Sequence, residues 1–328
     1  MKQVLVIGGG SIGERHLRCF QRTGRCEAAL CEINDDLRKQ LCDRYAVRRS
    51  FADLQQAIDS GFDAAVICTP AHLHVTMATM LARKGLHVLI EKPLSTTDVG
   101  LEELSALTTE RGIAVSVAYV LRNHPALQAV KAAIDARRFG NPVQVVYCGG
   151  QHFPFYRPAY RQIYYNNHAT GGGAIQDALT HMMNAAEWLV GPVTRLVADA
   201  EHCVLEGVDV EDTVHVMTRH GNLPGSFSLN QHQPVNESTL TVLCEHGAVR
   251  FESHNSSWQT CHQPDQPWTT EESFPMERDD LFVRQAHAFL DQLEGTQEAV
   301  CTLAEATQTL RVNLAALRSV QSQSWVTL

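Results

Sequence analysis

The chain has 328 residues, a formal net charge of −9, 44% hydrophobic residues and 19% charged ones. This length suits two domains rather than one, and the composition is that of an ordinary globular chain. The acidic balance excludes a nucleic-acid-binding face built from clustered Lys and Arg.

No apolar run approaches the length that spans a bilayer. The first strand begins at Gln3, so no export signal and a cytoplasmic location are expected. The ten cysteines contain no CxxC pair, and in a reducing compartment they read as small hydrophobes. Among the sixteen histidines, His72 and His74 come nearest to a metal pair. No third ligand follows at a usual spacing, so no metal is expected.

Strands are predicted at 3–7, 28–31, 64–68, 86–90 and 114–118, alternating with helices at 12–22, 35–45, 51–60, 73–84 and 97–111. This alternation predicts an α/β fold whose first part is a doubly wound parallel sheet with helices on both faces. The first turn is Gly8-Gly9-Gly10-Ser11-Ile12-Gly13, a G-x-G-x-x-G between strand and helix. Gly8 permits the tight turn, Gly10 lets backbone approach a pyrophosphate, and Gly13 allows close helix–strand packing. The helix N-terminus favours the negative charge. Glu32 stands nineteen residues after Gly13, at the end of the second strand, where a carboxylate accepts from ribose hydroxyls. It also repels a 2′-phosphate, and no Arg or Lys occupies 33 or 34, so NAD is expected over NADP. Arg38 is the nearby basic rival.

Cys68-Thr69-Pro70 closes one strand ahead of Ala71-His72-Leu73-His74. Taken alone, His74 reads as a helix-start residue satisfied by backbone. The run 88–90 leads into Glu91-Lys92-Pro93-Leu94. A charged pair at a strand end is costly to bury without partners, and Pro93 restricts Lys92 to an extended or turn geometry. The Lys92–Pro93 bond is a candidate for cis. A surface ion pair is the plainer alternative.

Beyond Pro125, a helix is predicted at 126–138 and a strand at 143–147. Residues 153–168 interleave Phe155, Tyr156, Tyr160, Tyr164 and Tyr165 with Arg157 and Arg161, then Asn166, Asn167 and His168. Such a loop suits a polyhydroxylated ligand, but equally a packed tyrosine cluster or a subunit contact. Gly171-Gly172-Gly173 introduces a helix at 174–189 on which Asp177 and His181 share a face. By itself that pair is either a surface ion pair or a site. Strands at 193–200, 210–218, 225–231, 238–245 and 248–253 predict a largely antiparallel sheet. Residues 255–273 read as a surface hairpin or loop, 279–293 and 303–319 as helices, and 325–328 as a last short strand.

The glycine turn at 8–13, Thr69-Pro70 with His74, and Gly85-Leu86-His87-Val88 running into Glu91-Lys92-Pro93-Leu94 resemble the Gfo/Idh/MocA oxidoreductase family. Tyr119, Arg122, His124 and Pro125 are similar to the segment joining that family's two domains. The likeness is close in the first domain and looser in the second. It implies a Rossmann domain at 1–120 and a substrate and oligomerisation domain at 121–328 with a large, mostly antiparallel sheet. It further implies NAD-dependent oxidation or reduction at a secondary alcohol carbon of a sugar, polyol or cyclitol.

Lys92, Asp177 and His181 then take the catalytic roles. Gly8, Gly10, Ser11, Ile12, Gly13, Glu32, Thr69, Pro70, His74, Glu91 and Lys92 would hold the cofactor. Tyr119, Arg122, Tyr156, Arg157, Tyr160, His168 and Asn184 join the catalytic residues around the substrate. Asn184 departs from the family's frequent Asp three residues after the His, so no relative's substrate transfers directly. The open sheet face implies a homodimer or homotetramer. Some relatives are NAD-dependent glycosidases that oxidise transiently and eliminate, and a few are non-catalytic sensors. A sensor has no need of Lys92, Asp177 and His181 together.

Overall fold

The computed structural model describes residues 1–328. They form two compact units, Met1–Asn123 with Glu277–Thr307, and His124–Met276 with Gln308–Leu328. The domains are therefore not separated by a single cut at 120, because Glu277–Thr307 returns to the first unit.

In that unit the elements are β1 (Lys2–Ile7), α1 (Ser11–Arg22), β2 (Cys26–Cys31), α2 (Asp35–Tyr45), β3 (Ser50–Phe51), α3 (Leu54–Ile58), β4 (Ala64–Ile67), α4 (His74–Arg83), β5 (His87–Ile90), α5 (Leu101–Arg111) and β6 (Val115–Val117). All neighbouring strands pair in parallel, in the order β3-β2-β1-β4-β5-β6. Val4, Leu5 and Val6 are fully buried, as expected where helices cover both faces. Ile7 pairs with both Cys31 and Ile67, and Ile67 pairs with Ile90. This register brings the carboxyl ends of four strands to one line. The helix predicted at 51–60 divides, because the Asp53 side chain caps Gln56 N at 2.7 Å and leaves residues 50–51 extended.

Gly13, His16, Leu17 and Phe20 form the buried stripe of α1. Part of its cover arrives from Asp280–Leu293, whose Ala286, Phe289 and Leu290 join the same core. Arg18 clamps Asp279 with two hydrogen bonds of 2.5 and 2.7 Å.

The second unit begins with α6 (Pro125–Asp135) and β7 (Pro142–Gly150), then a short helix α7 (Phe153–Tyr156). After α8 (Thr180–Val190) come β8 (Arg195–Glu201), β9 (Thr213–His220), β10 (Leu223–Asn230), β11 (Glu237–Cys244), β12 (Gly247–Glu252), β13 (Ser257–Cys261) and β14 (Thr269–Ser273). The chain closes with α9 (Asp280–Leu293), α10 (Leu303–Ser322) and β15 (Val326–Thr327). The nine strands run in the order β14-β13-β12-β11-β7-β10-β9-β8-β15, antiparallel except where β10 lies parallel to β7. Residues 255–273 are thus a hairpin rather than an irregular loop: β13 and β14 pair antiparallel at the edge of the sheet, β14 is exposed, and Thr260 is fully buried. In β9 and β10 buried residues alternate with exposed or half-exposed ones, so one face of the sheet is covered and the other largely open. No helix is long and apolar enough to cross a membrane.

Candidate active site

The line of strand ends in the first unit is continued by backbone bonds. Gly8 N–H donates to Cys31 O at 2.8 Å, Cys68 N–H to Ile7 O at 2.8 Å, and Glu91 N–H to Ile67 O at 3.0 Å. The glycine turn, Cys68-Thr69-Pro70 and Lys92 therefore emerge at one edge of the sheet. A side chain at Gly13 would put its Cβ 1.8 Å from Gly8 O, so only glycine lets α1 approach the turn this closely. Gly10, by contrast, faces open space, with nothing within 4 Å of an added Cβ. Beyond it the first turn of α1 presents Ser11 exposed and Ile12 half-buried.

A dinucleotide fits this edge. The open approach at Gly10 and the helix N-terminus suit a pyrophosphate. Glu32 Oε2 accepts Gly9 N–H at 2.6 Å and Oε1 accepts Asn34 N–H at 2.8 Å. The carboxylate is thus fixed in place with lone pairs left for ribose hydroxyls. Arg38 is occupied elsewhere, with Nη1 on Glu32 O at 2.9 Å and Nη2 on Asp35 at 2.7 Å.

Behind the edge lie several residues expected to touch ligands. Glu91 is 5% exposed, with Oε1 2.7 Å from His16 Nε2 and Oε2 accepting Lys92 N–H at 2.9 Å. Burial pushes this carboxyl up, but the His16 bond and the neighbouring positive charge outweigh it and hold Glu91 below its ordinary range. Glu91 thus ties α1 to the backbone of Lys92. The Lys92–Pro93 peptide is cis. His74 is buried, with Nε2 2.7 Å from Thr69 O and Nδ1 3.0 Å from Pro93 O. It joins two strand ends. Burial lowers its pKa, against the opposing pull of the Thr69 and Pro93 carbonyls. Arg122 is 2% exposed, bonded to Glu305 Oε1 at 2.5 Å and Val300 O at 3.1 Å. Tyr119 is buried as well.

In the second unit, the loop after β7 divides its aromatics. Phe153, Tyr160 and Tyr165 are buried with Leu205, Val208 and Val210. Tyr160 donates its hydroxyl to Glu206 O at 2.7 Å, which makes it an anchor of the loop. Tyr156 and Arg157 are exposed. His168 Nε2 lies 2.5 Å from Glu211 Oε2, and that bond raises the imidazole's pKa.

Glu211, buried in turn, shapes the start of the helix that carries Asp177. Its Oε1 accepts Ile175 N–H at 2.9 Å and its carbonyl accepts Ala174 N–H at 3.0 Å. Gly173 is required beside it, since its φ is +86° and a Cβ would lie 2.6 Å from the carboxylate. The helix expected from 174 therefore opens with a wider π turn, Ile175–Leu179, before α8 begins. Asp177 sits in that turn, 5% exposed, and accepts the Tyr164 hydroxyl at 2.5 Å. His181, in the first turn of α8, is half-buried. Asn184 is 1% exposed and donates to Thr309 Oγ1 at 3.0 Å, while Asn313 bonds Thr180 at 2.9 Å. Asn184 therefore fastens α8 to α10.

Sequence reasoning missed three residues. His16 lay hidden in the apolar stripe of α1, Glu211 gave no local signal, and Tyr164 was one tyrosine among several.

The first unit is a dinucleotide-binding Rossmann domain, with a lysine held at the edge where the cofactor binds. The family profile described as an oxidoreductase family with an NAD-binding Rossmann fold matches residues 2–119. The profile of the GFO/IDH/MocA C-terminal domain matches residues 127–250. The chain belongs to this family, and NAD is its cofactor. Levoglucosan dehydrogenase of Pseudarthrobacter phenanthrenivorans is 25% identical over 292 residues, 75% of this chain and 72% of that protein. Inositol 2-dehydrogenase 1 of Saccharopolyspora erythraea is 36% identical over 154 residues, 44% of each chain. A solved structure of levoglucosan dehydrogenase in complex with NADH matches with a TM-score of 0.90 at 22% identity, over 99% of this chain and 98% of that one. At this identity the structural likeness is one of fold.

Proposed function

We propose that the chain is an NAD-dependent dehydrogenase that moves hydride between nicotinamide C4 and a secondary alcohol carbon of a sugar, polyol or cyclitol. The observation that carries this reading is the common edge of the glycine turn, the Glu32 carboxylate and Lys92 in the first unit. Relatives that are dehydrogenases of levoglucosan and inositol support the substrate class.

When bound, the nicotinamide supplies the redox chemistry. The chain's own residues bind, orient and move the proton. The N-terminus of α1 takes the pyrophosphate, and Glu32 accepts from the ribose and disfavours a 2′-phosphate. Lys92 brings an ammonium to the reacting oxygen and stabilises the alkoxide as it develops. His181 takes the hydroxyl proton, a task for which imidazole is suited near neutral pH. Asp177 orients that imidazole or a neighbouring hydroxyl, and Tyr156 and Arg157 contact the substrate from the loop. A cytoplasmic homodimer or homotetramer belongs to the same reading. Val143 and Met217 of the second unit's sheet are 46% and 54% exposed, and equilibrium sedimentation distinguishes such an assembly from a monomer.

The test is a panel of sugars, polyols and cyclitols, including levoglucosan and inositol, scored by NADH absorbance with either cofactor. NADH should form with at least one compound. NAD should exceed NADP in kcat/KM by roughly tenfold to a hundredfold, the effect of a phosphate beside a fixed carboxylate. Reduction of neither cofactor by any compound, or sugar release without net NADH, overturns the reading. A preference for NADP overturns the role of Glu32.

A further inference from the structure

We propose that Tyr164 is a positioning residue that sets the Asp177 carboxylate for proton transfer. The inference deepens the functional reading above and rests on Asp177 belonging to the proton path.

Its basis is the 2.5 Å bond from the Tyr164 hydroxyl to Asp177 Oδ1. A hydroxyl donating to a carboxylate at this distance is among the stronger kinds of hydrogen bond. The two ends of the bond differ in setting: Asp177 is 5% exposed, Tyr164 36%. Phenylalanine would match whatever burial of the ring contributes to the fold. The feature that requires tyrosine is the hydroxyl, and it is aimed at the carboxylate.

The backbone of Tyr164 is held so that the aim is fixed. Its carbonyl accepts Thr170 Oγ1 at 2.8 Å and Asn167 N–H at 3.3 Å. The next residue, Tyr165, is fully buried and gives its hydroxyl to Gln231. On the other side, Asp177 lies in the π turn, and such turns recur at functional sites. Glu211 pins the start of that turn by its bonds to Ile175 N–H and Ala174 N–H, but these hold backbone and leave the Asp177 side chain to be directed by its own partners. Tyr164 occupies one carboxylate oxygen and limits the rotation of the group.

The experiment uses Tyr164→Phe, Asp177→Asn and the double variant of the full chain, with the panel compound that the wild type turns over fastest. NADH affinity is followed by fluorescence, and the crystal structure of Tyr164→Phe is solved. Tyr164→Phe should lower kcat roughly tenfold to a hundredfold, the effect of one hydrogen bond to a charged group. NADH affinity and melting temperature should stay at wild-type values. In the Asp177→Asn background the same change should cost nothing further, because the tyrosine acts through the carboxylate. The Asp177 side chain should leave its wild-type rotamer in the Tyr164→Phe crystal, an outcome that needs no turnover. An unmoved carboxylate overturns the proposal, as does a wild-type kcat for Tyr164→Phe beside an impaired Asp177→Asn. Equal losses in both backgrounds, or a lowered melting temperature, also overturn it and mark Tyr164 as structural. If Asp177→Asn itself keeps wild-type kcat, the functional reading of Asp177 fails instead.

Discussion

At the scale of single residues, burial and hydrogen bonding separate groups that can act on a ligand from groups that hold others still. Lys92 and His181 are half-buried, whereas Glu91, His74, Arg122, Tyr160 and Asn184 are all at most 5% exposed with named partners inside the protein. In sequence, Lys92 stands out because Pro93 follows it, whereas His181 stands out only through the family resemblance. The burial of the others was not readable, because a polar residue beside a motif looks the same in sequence whether it faces inward or outward. Replacing Lys92 or His181 by Ala is expected to lower kcat by roughly 10²–10⁴, the usual contribution of a positioned proton-transfer or charge-stabilising group, with NAD affinity near wild type. Steady-state kinetics beside a fluorescence titration with NADH measures both. A variant that keeps more than about a tenth of kcat with chemistry rate-limiting removes its residue from the proton path.

At the scale of elements, polar ties set how strands and helices meet at the site. The bond between His16 on α1 and Glu91 after β5 spans 75 residues of sequence, and removal of one partner of such a buried pair costs about 3–5 kcal/mol. It also carries a pH signature. Glu91 is held below its ordinary pKa in the folded protein. Its contribution is therefore fully present above the unfolded value, about 4.3, and is lost as pH falls through the depressed folded value. The stability gap between wild type and Glu91→Gln should be widest near neutral pH and narrow on the acid side. Urea unfolding at several pH values checks this, and a gap that widens toward acid contradicts the assignment. The π turn at Ile175–Leu179 is a second tie of this kind, imposed by Glu211 from 36 residues away.

At the scale of the whole molecule, the first unit is not a continuous piece of chain. Helix α9 lays Ala286, Phe289 and Leu290 into the core beneath α1. Phe289 is 2% exposed and meets Phe20 edge-on with ring centroids 6.3 Å apart. Phe289→Ala should cost about 3–5 kcal/mol, as large aromatic deletions in cores do. It should loosen the Rossmann unit in particular, with hydrogen exchange rising in β1 and α1. Protection unchanged there, with loss confined to α9, would show that the late helix is dispensable to that core.

The sequence by itself determined the parallel α/β first half, the nucleotide turn at 8–13, the acidic residue at 32 and the lysine at 92. Each depends on patterns local in the chain: apolar runs of strand length, glycines at fixed offsets, and a proline that restricts its neighbour. It also showed that the second half is mostly strands, but left residues 255–273 open between hairpin and loop, because short strands rich in Gln, Thr and Glu carry little alternation. Only the tertiary structure decided that α9 returns to the first unit, that Glu91 turns inward to His16, and that Glu211 and Tyr164 bond the turn backbone and the carboxylate of Asp177 respectively. Those outcomes depend on which distant groups share a low-dielectric interior, where an unpaired polar atom is costly and a partner from any part of the chain removes that cost.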